Sequence, residues 1–181
     1  MFNRNKVINN EAKRVLRSVP TYGLLADNAL YFEETIPAIS RDALRGRGSK
    51  QLDRVDPVFL GPDNGFEARS AKPRTLPKYA LYEEAIAYHE AGKIVVAIQF
   101  ARQCQPEARA QKVRRVLYDG AGYSCELPVL RARVAPNILF FFLAPAERVS
   151  SLTTALTSFV AMSEGKAELI WWAGAKNRLT A

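Results

Sequence analysis

The residues best suited to chemistry lie in one short stretch, residues 55–67, which reads V-D-P-V-F-L-G-P-D-N-G-F-E. Asp63 and Asn64 put an acid and an amide at the tip of a Gly-Pro-Asp-Asn-Gly turn, and Gly61 and Gly65 let a ligand approach the backbone closely. A carboxylate at the end of a strand could serve as a general base or a metal ligand. The same tripeptide also suits a plain turn, because Asp and Asn bond their own backbone and Gly accepts positive φ. Gln99 ends the apolar run K-I-V-V-A-I-Q-F-A, residues 93–101. A buried amide needs a partner, so Gln99 either meets Asp63 in a donor–acceptor set fit for a nucleobase or amide, or is satisfied by backbone. Glu67, Glu83 and Glu84 could complete an acidic cluster with Asp63. Glu83 and Glu84 are explained equally well by the dipole of the helix they open.

These groups must be positioned by a sheet. Val58, Phe59 and Leu60 are too few for a helix and read as a short strand running into the turn. A helix is predicted over 78–91, with Pro77 at its start, Gly92 as its stop and Leu81, Ala85 and Ile86 inward. The unbroken apolar run over 93–101 predicts a central parallel strand buried on both faces. Ligands of open α/β sheets bind outside the carboxyl ends of the strands. Asp63, Asn64 and Gln99 are therefore expected to line one pocket there, with Lys78 or Tyr79 at its rim and Phe59, Ile98 and Phe100 as walls.

The pattern then repeats. A helix is predicted over 106–118 with Val113, Val116 and Leu117 inward. Strands over 125–134 and 137–143 form a hairpin around Ala135-Pro136, an amphipathic helix ends at Gly165, and a last strand covers 166–173. Strands alternating with helices predict a three-layer, Rossmann-like α/β fold whose mixed sheet carries a C-terminal hairpin. The alternative is a ferredoxin-like core in 93–173. One domain is expected over 1–181, with 1–50 an added helical and irregular lobe and 51–181 the core. Within that lobe, 5–19 reads as a basic amphipathic helix stopped by Pro20, 30–36 alternates like a short strand, and 45–50 reads as a flexible basic loop.

With 48% hydrophobic and 24% charged residues in 181, the composition is that of a globular chain and excludes disorder as its main state. A net charge of +8 implies either an anionic partner, nucleic acid first, or solubility alone. Candidate phosphate contacts are Arg45, Arg47 and Lys50 in the basic loop, and Arg109, Lys112 and Arg115 along one flank of the 106–118 helix; Arg102 follows the apolar run 93–101. Cys104 and Cys125 lack ligand-spaced histidines and read as reduced thiols rather than a zinc site. His89 is the only histidine, which argues against a hydrolytic triad. No apolar run is long enough to span a membrane, and residues 1–6 lack a signal-peptide core, so the expected place is the cytoplasm. Phe140, Phe142, Trp171 and Trp172 read as packing rather than base stacking. The G-x-G-x-x-G loop that cradles cofactor phosphates does not occur.

V-F-L-G-P-D-N-G-F-E, then K-Y-A-L-Y-E-E and K-I-V-V-A-I-Q-F, resemble a bacterial and phage family. Its core is a strand ending in Asp-Pro-Asp-Asn-Gly, a Lys-Tyr-x-x-x-x-Glu helix start and a strand ending in Tyr-Gln-His. The likeness covers residues 52–103. Pro62, Asp63, Asn64, Gly65, Lys78, Tyr79, Glu84 and Gln99 match or nearly match. Gly61, Ile98 and Phe100 depart from the family's aspartate, tyrosine and histidine, which implies that any chemistry carried by those groups is lost here. The order of elements is also similar to class I methyltransferases, whose Asx-Pro-Pro-aromatic turn holds the amino group to be methylated; Pro62 alone agrees.

Three functions remain open at this level. A methyltransferase-like protein would act on or bind nucleic acid with Asp63, Asn64 and Gln99 around the reacting group and Gly61, Pro62, Gly65, Lys78, Tyr79, Glu84 and Arg102 around the substrate. S-adenosylmethionine would be its cofactor, without the usual Gly-rich loop. A metal-dependent phosphodiesterase would use a divalent ion on Asp63 with Glu67 or Glu84. A non-catalytic module would keep only a basic surface for nucleic acid or protein.

Overall fold

The computed structural model describes residues 28–32, 34, 36–37, 41–102, 104–122, 127–134 and 138–172. The chain divides into two compact units, residues 1–55 and 56–181. The expected helix over 5–19 and Cys125 lie outside the described residues.

In the first unit, helix α1 spans Arg41–Gln51. This corrects the flexible loop expected at 45–50, whose two glycines read as breakers. The helix is held from outside its own sequence. Arg47 donates from Nε and Nη2 to the Glu34 carboxylate at 2.6–3.1 Å, and Gln51 Nε2 donates to the Tyr31 carbonyl at 2.9 Å. A methyl at Gly48 would stand 3.5 Å from the Phe32 ring, so this glycine lets the ring lie against the helix. No described residue of 28–37 belongs to a strand, a second correction.

The second unit is a five-stranded mixed sheet with helices on both faces. Its elements are β1 (Val58–Leu60), a 3-10 helix (Pro73–Lys78), α2 (Tyr82–Glu90), β2 (Val95–Phe100), α3 (Pro106–Gly120), β3 (Val129–Ala132), β4 (Ile138–Leu143), α4 (Ala146–Met162) and β5 (Ala167–Ile170). The strand order is β1-β2-β4-β3-β5. β1 runs parallel to β2 with Val58 opposite Val95, and every other neighbouring pair is antiparallel. β3 and β4 form the expected hairpin, with Leu130 opposite Phe140; its Ala135-Pro136 turn lies outside the described residues.

The period-2 alternation of the strands sorts side chains into two cores. Val95, Ala97, Val129, Leu139, Phe141 and Leu143 face α2 and α3, which contribute Ala85, Ala110, Val113, Leu117 and Tyr118. Ile94, Leu130 and Phe142 face α4, which contributes Leu156 with Val149, Leu152 and Val160 beside it. Each large side chain so buried stabilises by about 1.5–3 kcal/mol relative to exposure. Val116, expected inward, is 47% exposed, because the buried stripe of α3 centres on Ala110, Val113 and Leu117.

All three crossovers step the same way across the sheet. β1-α2-β2 and β2-α3-β3 place their helices on one face, while β4-α4-β5 starts from a strand of opposite direction and places its helix on the other. The three therefore share one hand, as the twist of strands requires. The ferredoxin-like alternative matches the order of elements, but it needs both helices on one face. Here β5 pairs with β3 instead of β2, whose free side is taken by β1.

Two boundaries differ from expectation. The helix predicted over 78–91 begins at Tyr82, because Ala80 is extended to bridge in parallel to Phe66. It closes as predicted: Gly92 takes φ +79° and Lys93 N donates back to the Tyr88 carbonyl at 3.1 Å. β2 is not buried on both faces. Val95, Ala97 and Gln99 are buried, whereas Val96, Ile98 and Phe100 are only half-buried.

Candidate functional site

Beyond Leu60 the chain turns at the carboxyl edge of the parallel pair, leaves as a loop over 67–79 and returns beside its own start. Asn64 N donates to the Lys78 carbonyl, Ala80 N to the Gly65 carbonyl and Glu67 N to the Ala80 carbonyl, each at 3.0 Å. Inside the loop, the Thr75 hydroxyl accepts from Lys72 N at 3.1 Å and donates to the Lys72 carbonyl at 2.9 Å, which closes the 3-10 turn.

Gln99 holds this turn from the neighbouring strand. Its side chain is buried, with 6% of the residue exposed. Oε1 accepts the Phe66 N–H at 2.9 Å and Nε2 donates to the Phe100 carbonyl at 3.0 Å. Gly65 takes φ +83° and lies directly against that amide. Both ends of the amide are thus bound to backbone, the arrangement that makes a buried polar side chain tolerable. Asp63 is at the same sheet edge but exposed, Asn64 is half-buried, and Pro62 and Tyr79 are half-buried while Gly61 and Lys78 are exposed. The structure brings Gln99 to the backbone of the turn, and the carboxylate of Asp63 stands in solvent.

The acidic residues serve α2. Glu67 accepts the Tyr82 N–H with both oxygens at 3.1 Å. Glu84 accepts the Leu81 N–H at 3.1 Å, reaching back across the first turn as an N3 glutamate does. Burial pushes the Glu67 carboxyl above its ordinary range; the Tyr82 N–H offsets part of this, and Glu84 and Glu83 add repulsion. Tyr82 stacks on Phe66 with centroids 4.5 Å apart, and burial, then the Glu67 charge, push its phenol up to about 12 against a smaller pull from Arg109. His89 is half-buried, and burial lowers its pKa against a smaller upward pull from Glu90. Among the described residues no group of three or more histidine, cysteine or acidic side chains is placed to hold a metal ion.

The cations divide by what already holds them. Arg45 lies 3.6 Å from Asp42, Arg47 is bound to Glu34, and Lys50 is exposed on α1. On α3, Arg109 donates from Nε to Cys104 Sγ at 3.3 Å, while Lys112 and Arg115 are exposed. Arg102 lies over the Phe100 ring, 4.6 Å from its centroid. Arg69, Lys72 and Arg74 are not among the cations singled out from the sequence. With Lys78 they are exposed, have no ion pair among the described residues, and stand in a stretch, R-S-A-K-P-R-T-L-P-K, with no acidic residue between Glu67 and Glu83. The absence of carboxylates from that stretch was the available signal. The two ends of this loop lie beside the turn after β1, and Arg102 follows β2 two residues beyond Phe100.

No protein-family model, no curated protein and no solved structure matches this chain.

Proposed function

We propose that this protein binds nucleic acid through the cationic loop over 67–79, and that it is a non-catalytic relative of the family its 52–103 segment resembles. The observation that carries the reading is the set Arg69, Lys72, Arg74 and Lys78, exposed on one ordered loop without a carboxylate among them. Phosphate neutralisation by such groups supplies most of the sequence-independent affinity of nucleic-acid-binding proteins. Two further facts support binding over catalysis. The amide of Gln99 is bound at both ends to backbone, and Glu67 and Glu84 accept backbone N–H groups of α2. All three thus serve the backbone of the turn and of α2.

A methyltransferase-like reading has one observation in its favour, the parallel β1–β2 pair with Pro62 two residues past the end of β1. Calorimetry separates it: heat on adding S-adenosylmethionine supports that class, and heat on adding manganese supports the phosphodiesterase. The binding reading itself is tested by fluorescence anisotropy with a labelled oligonucleotide as salt rises from about 50 to 200 mM. Affinity should fall log-linearly with salt. Failure to bind at the low-salt end, or binding indifferent to salt, overturns the reading.

A further inference from the structure

α4 presents an outer face without charge. Residues 149–163 contain no Asp, Glu, Lys, Arg or His, whereas the surface of a soluble domain is usually about 25–35% charged. Val149, Leu152, Leu156 and Val160 form the inward side of the helix. Ser151, Thr154, Ala155, Ser158, Phe159 and Met162 are therefore uncharged at exposed positions. Hydroxyl protons on this face are already bonded. Ser151 Oγ donates to the Arg148 carbonyl at 3.0 Å, Thr154 Oγ1 to the Ser150 carbonyl at 3.1 Å and Thr157 Oγ1 to the Thr153 carbonyl at 2.9 Å. A hydroxyl that donates within its own helix loses little when water is removed, so this face can be buried at small desolvation cost. Beside the helix lies an open groove of about 410 Å³, lined by Ala155, Leu156 and Phe159 of α4 and by Phe59, Val96 and Phe140 of the sheet, with no polar residue in its lining. Phe59 is 57%, Phe159 51% and Met162 75% exposed. Ala155, Phe159 and Met162 follow at i, i+4 and i+7, one stripe along the rim of that groove.

We propose that this face is the interface of a two-fold dimer, in which α4 packs against α4 of a second copy and each Phe159 ring enters the other copy's groove. A two-fold contact must be self-complementary, and this patch holds both a protruding ring and an apolar recess with room for one. Charge points the same way. The chain carries +8, so two copies repel wherever their basic surfaces meet; along residues 149–163 they meet without charge. The extent suffices as well. α4 has 17 residues, about 26 Å at 1.5 Å per residue, and the groove widens the face by about two strand spacings, roughly 10 Å. Such a face is on the order of the 800 Å² per partner that stable complexes bury. Other occupants fit less well. A polyanion would be drawn to the cations elsewhere on the chain, and a helix lying on a membrane carries Lys or Arg along its polar face, which 149–163 lacks.

The experiment is sedimentation velocity on the full chain over about 1–100 μM, with wild type, Phe159→Glu, Ala155→Arg and Val116→Glu. All three replaced residues are exposed, so circular dichroism should show unchanged folding. Val116 is the control, because its helix α3 packs on the opposite face of the sheet. Support is a concentration-dependent dimer in wild type and Val116→Glu, with a dissociation constant raised at least roughly 30-fold in Phe159→Glu and Ala155→Arg. Rising salt should tighten the dimer by screening two like-charged chains, the reverse of its effect on nucleic-acid binding. A wild type that is monomeric at the highest concentration overturns the proposal. So does a dimer that persists in Phe159→Glu and Ala155→Arg, or one that Val116→Glu dissociates equally well. If wild type is monomeric and floats with phosphatidylcholine vesicles while Phe159→Glu does not, the face meets lipid and the proposal is wrong.

Discussion

Gly65 and Gln99 are fitted to each other: a methyl group placed on Gly65 would stand 2.7 Å from both the nitrogen and the oxygen of the Gln99 amide. Gly65 also holds φ +83°, a region L side chains rarely adopt. The turn after β1 therefore needs glycine twice over, for its backbone conformation and for the close approach of β2's amide. That amide in turn supplies the partner for Phe66 N.

Gly65→Ala and Gln99→Ala should each destabilise, and less than additively together. Gln99→Ala leaves the buried Phe66 N–H without an acceptor and opens a void, a loss of about 2–4 kcal/mol. Gly65→Ala adds strain at positive φ, about 1–2 kcal/mol, and the clash. In the double variant the clash is gone, so the cycle should show a coupling of about 1 kcal/mol or more by urea denaturation. Additive costs would mean that the two residues do not touch.

Glu67 sets a pH dependence. Its folded pKa is raised, burial being the main cause. The folded state therefore binds the proton more tightly than the unfolded chain, and stability falls as pH rises from the ordinary carboxylate value through the raised one. Glu67→Gln keeps an oxygen for the Tyr82 N–H and removes the charge, so its melting temperature at pH 7 should exceed that of wild type and the slope in that window should flatten. Glu67→Ala leaves Tyr82 N without its acceptor and should cost about 0.5–2 kcal/mol. A Gln variant less stable than wild type at pH 7 contradicts this account.

The parts of the fold written in local pattern were legible. Val58-Phe59-Leu60 before a Gly-Pro turn, and the apolar run ending in Gln99, give two strands that pair in parallel with Val58 opposite Val95. What escaped depends on contacts distant in sequence. Gly46 and Gly48 look like helix breakers until Glu34 and Phe32 are placed against α1. Tyr79 and Ala80 look helical until Phe66 bridges Ala80. An apolar run shows that a strand can be buried on both faces but not whether a helix covers it, and one face of β2 stays half-open. Gln99 illustrates the limit at the site: its residue type admits ligand or backbone as partner, and only the position of Phe66 N decides.

Trp172 should prove structural. It is buried, donates from Nε1 to the Leu127 carbonyl at 2.9 Å, meets Tyr118 edge-on and lies 4.5 Å beneath the Arg114 guanidinium. Trp172→Phe removes the hydrogen bond and part of the ring at a cost of about 1–3 kcal/mol, and Trp172→Ala about 3–5 kcal/mol. Each kcal/mol should appear as about 2–4 °C in Tm for a chain of this size. Oligonucleotide affinity of the folded Phe variant should equal that of wild type.

The path of the phosphates can be located by comparing two sets of cations. Pro106 opens α3 just beyond β2, and at 1.5 Å per residue Lys112 and Arg115 lie about 9 and 13 Å along the axis, stepping away from the carboxyl edge. Arg69, Lys72, Arg74 and Lys78 stay on the loop that is pinned to the turn at both ends. If the loop carries the phosphates, replacing its four cations by alanine should lower the log–log salt slope for a single strand by about 3, since each contact contributes about 0.7. Lys112→Ala with Arg115→Ala should leave the slope within about 0.5 of wild type. Both variants alter only exposed side chains, so circular dichroism should confirm unchanged folding. The opposite ranking, with the α3 pair governing the slope, would move the binding surface from the sheet edge to the outer face of α3.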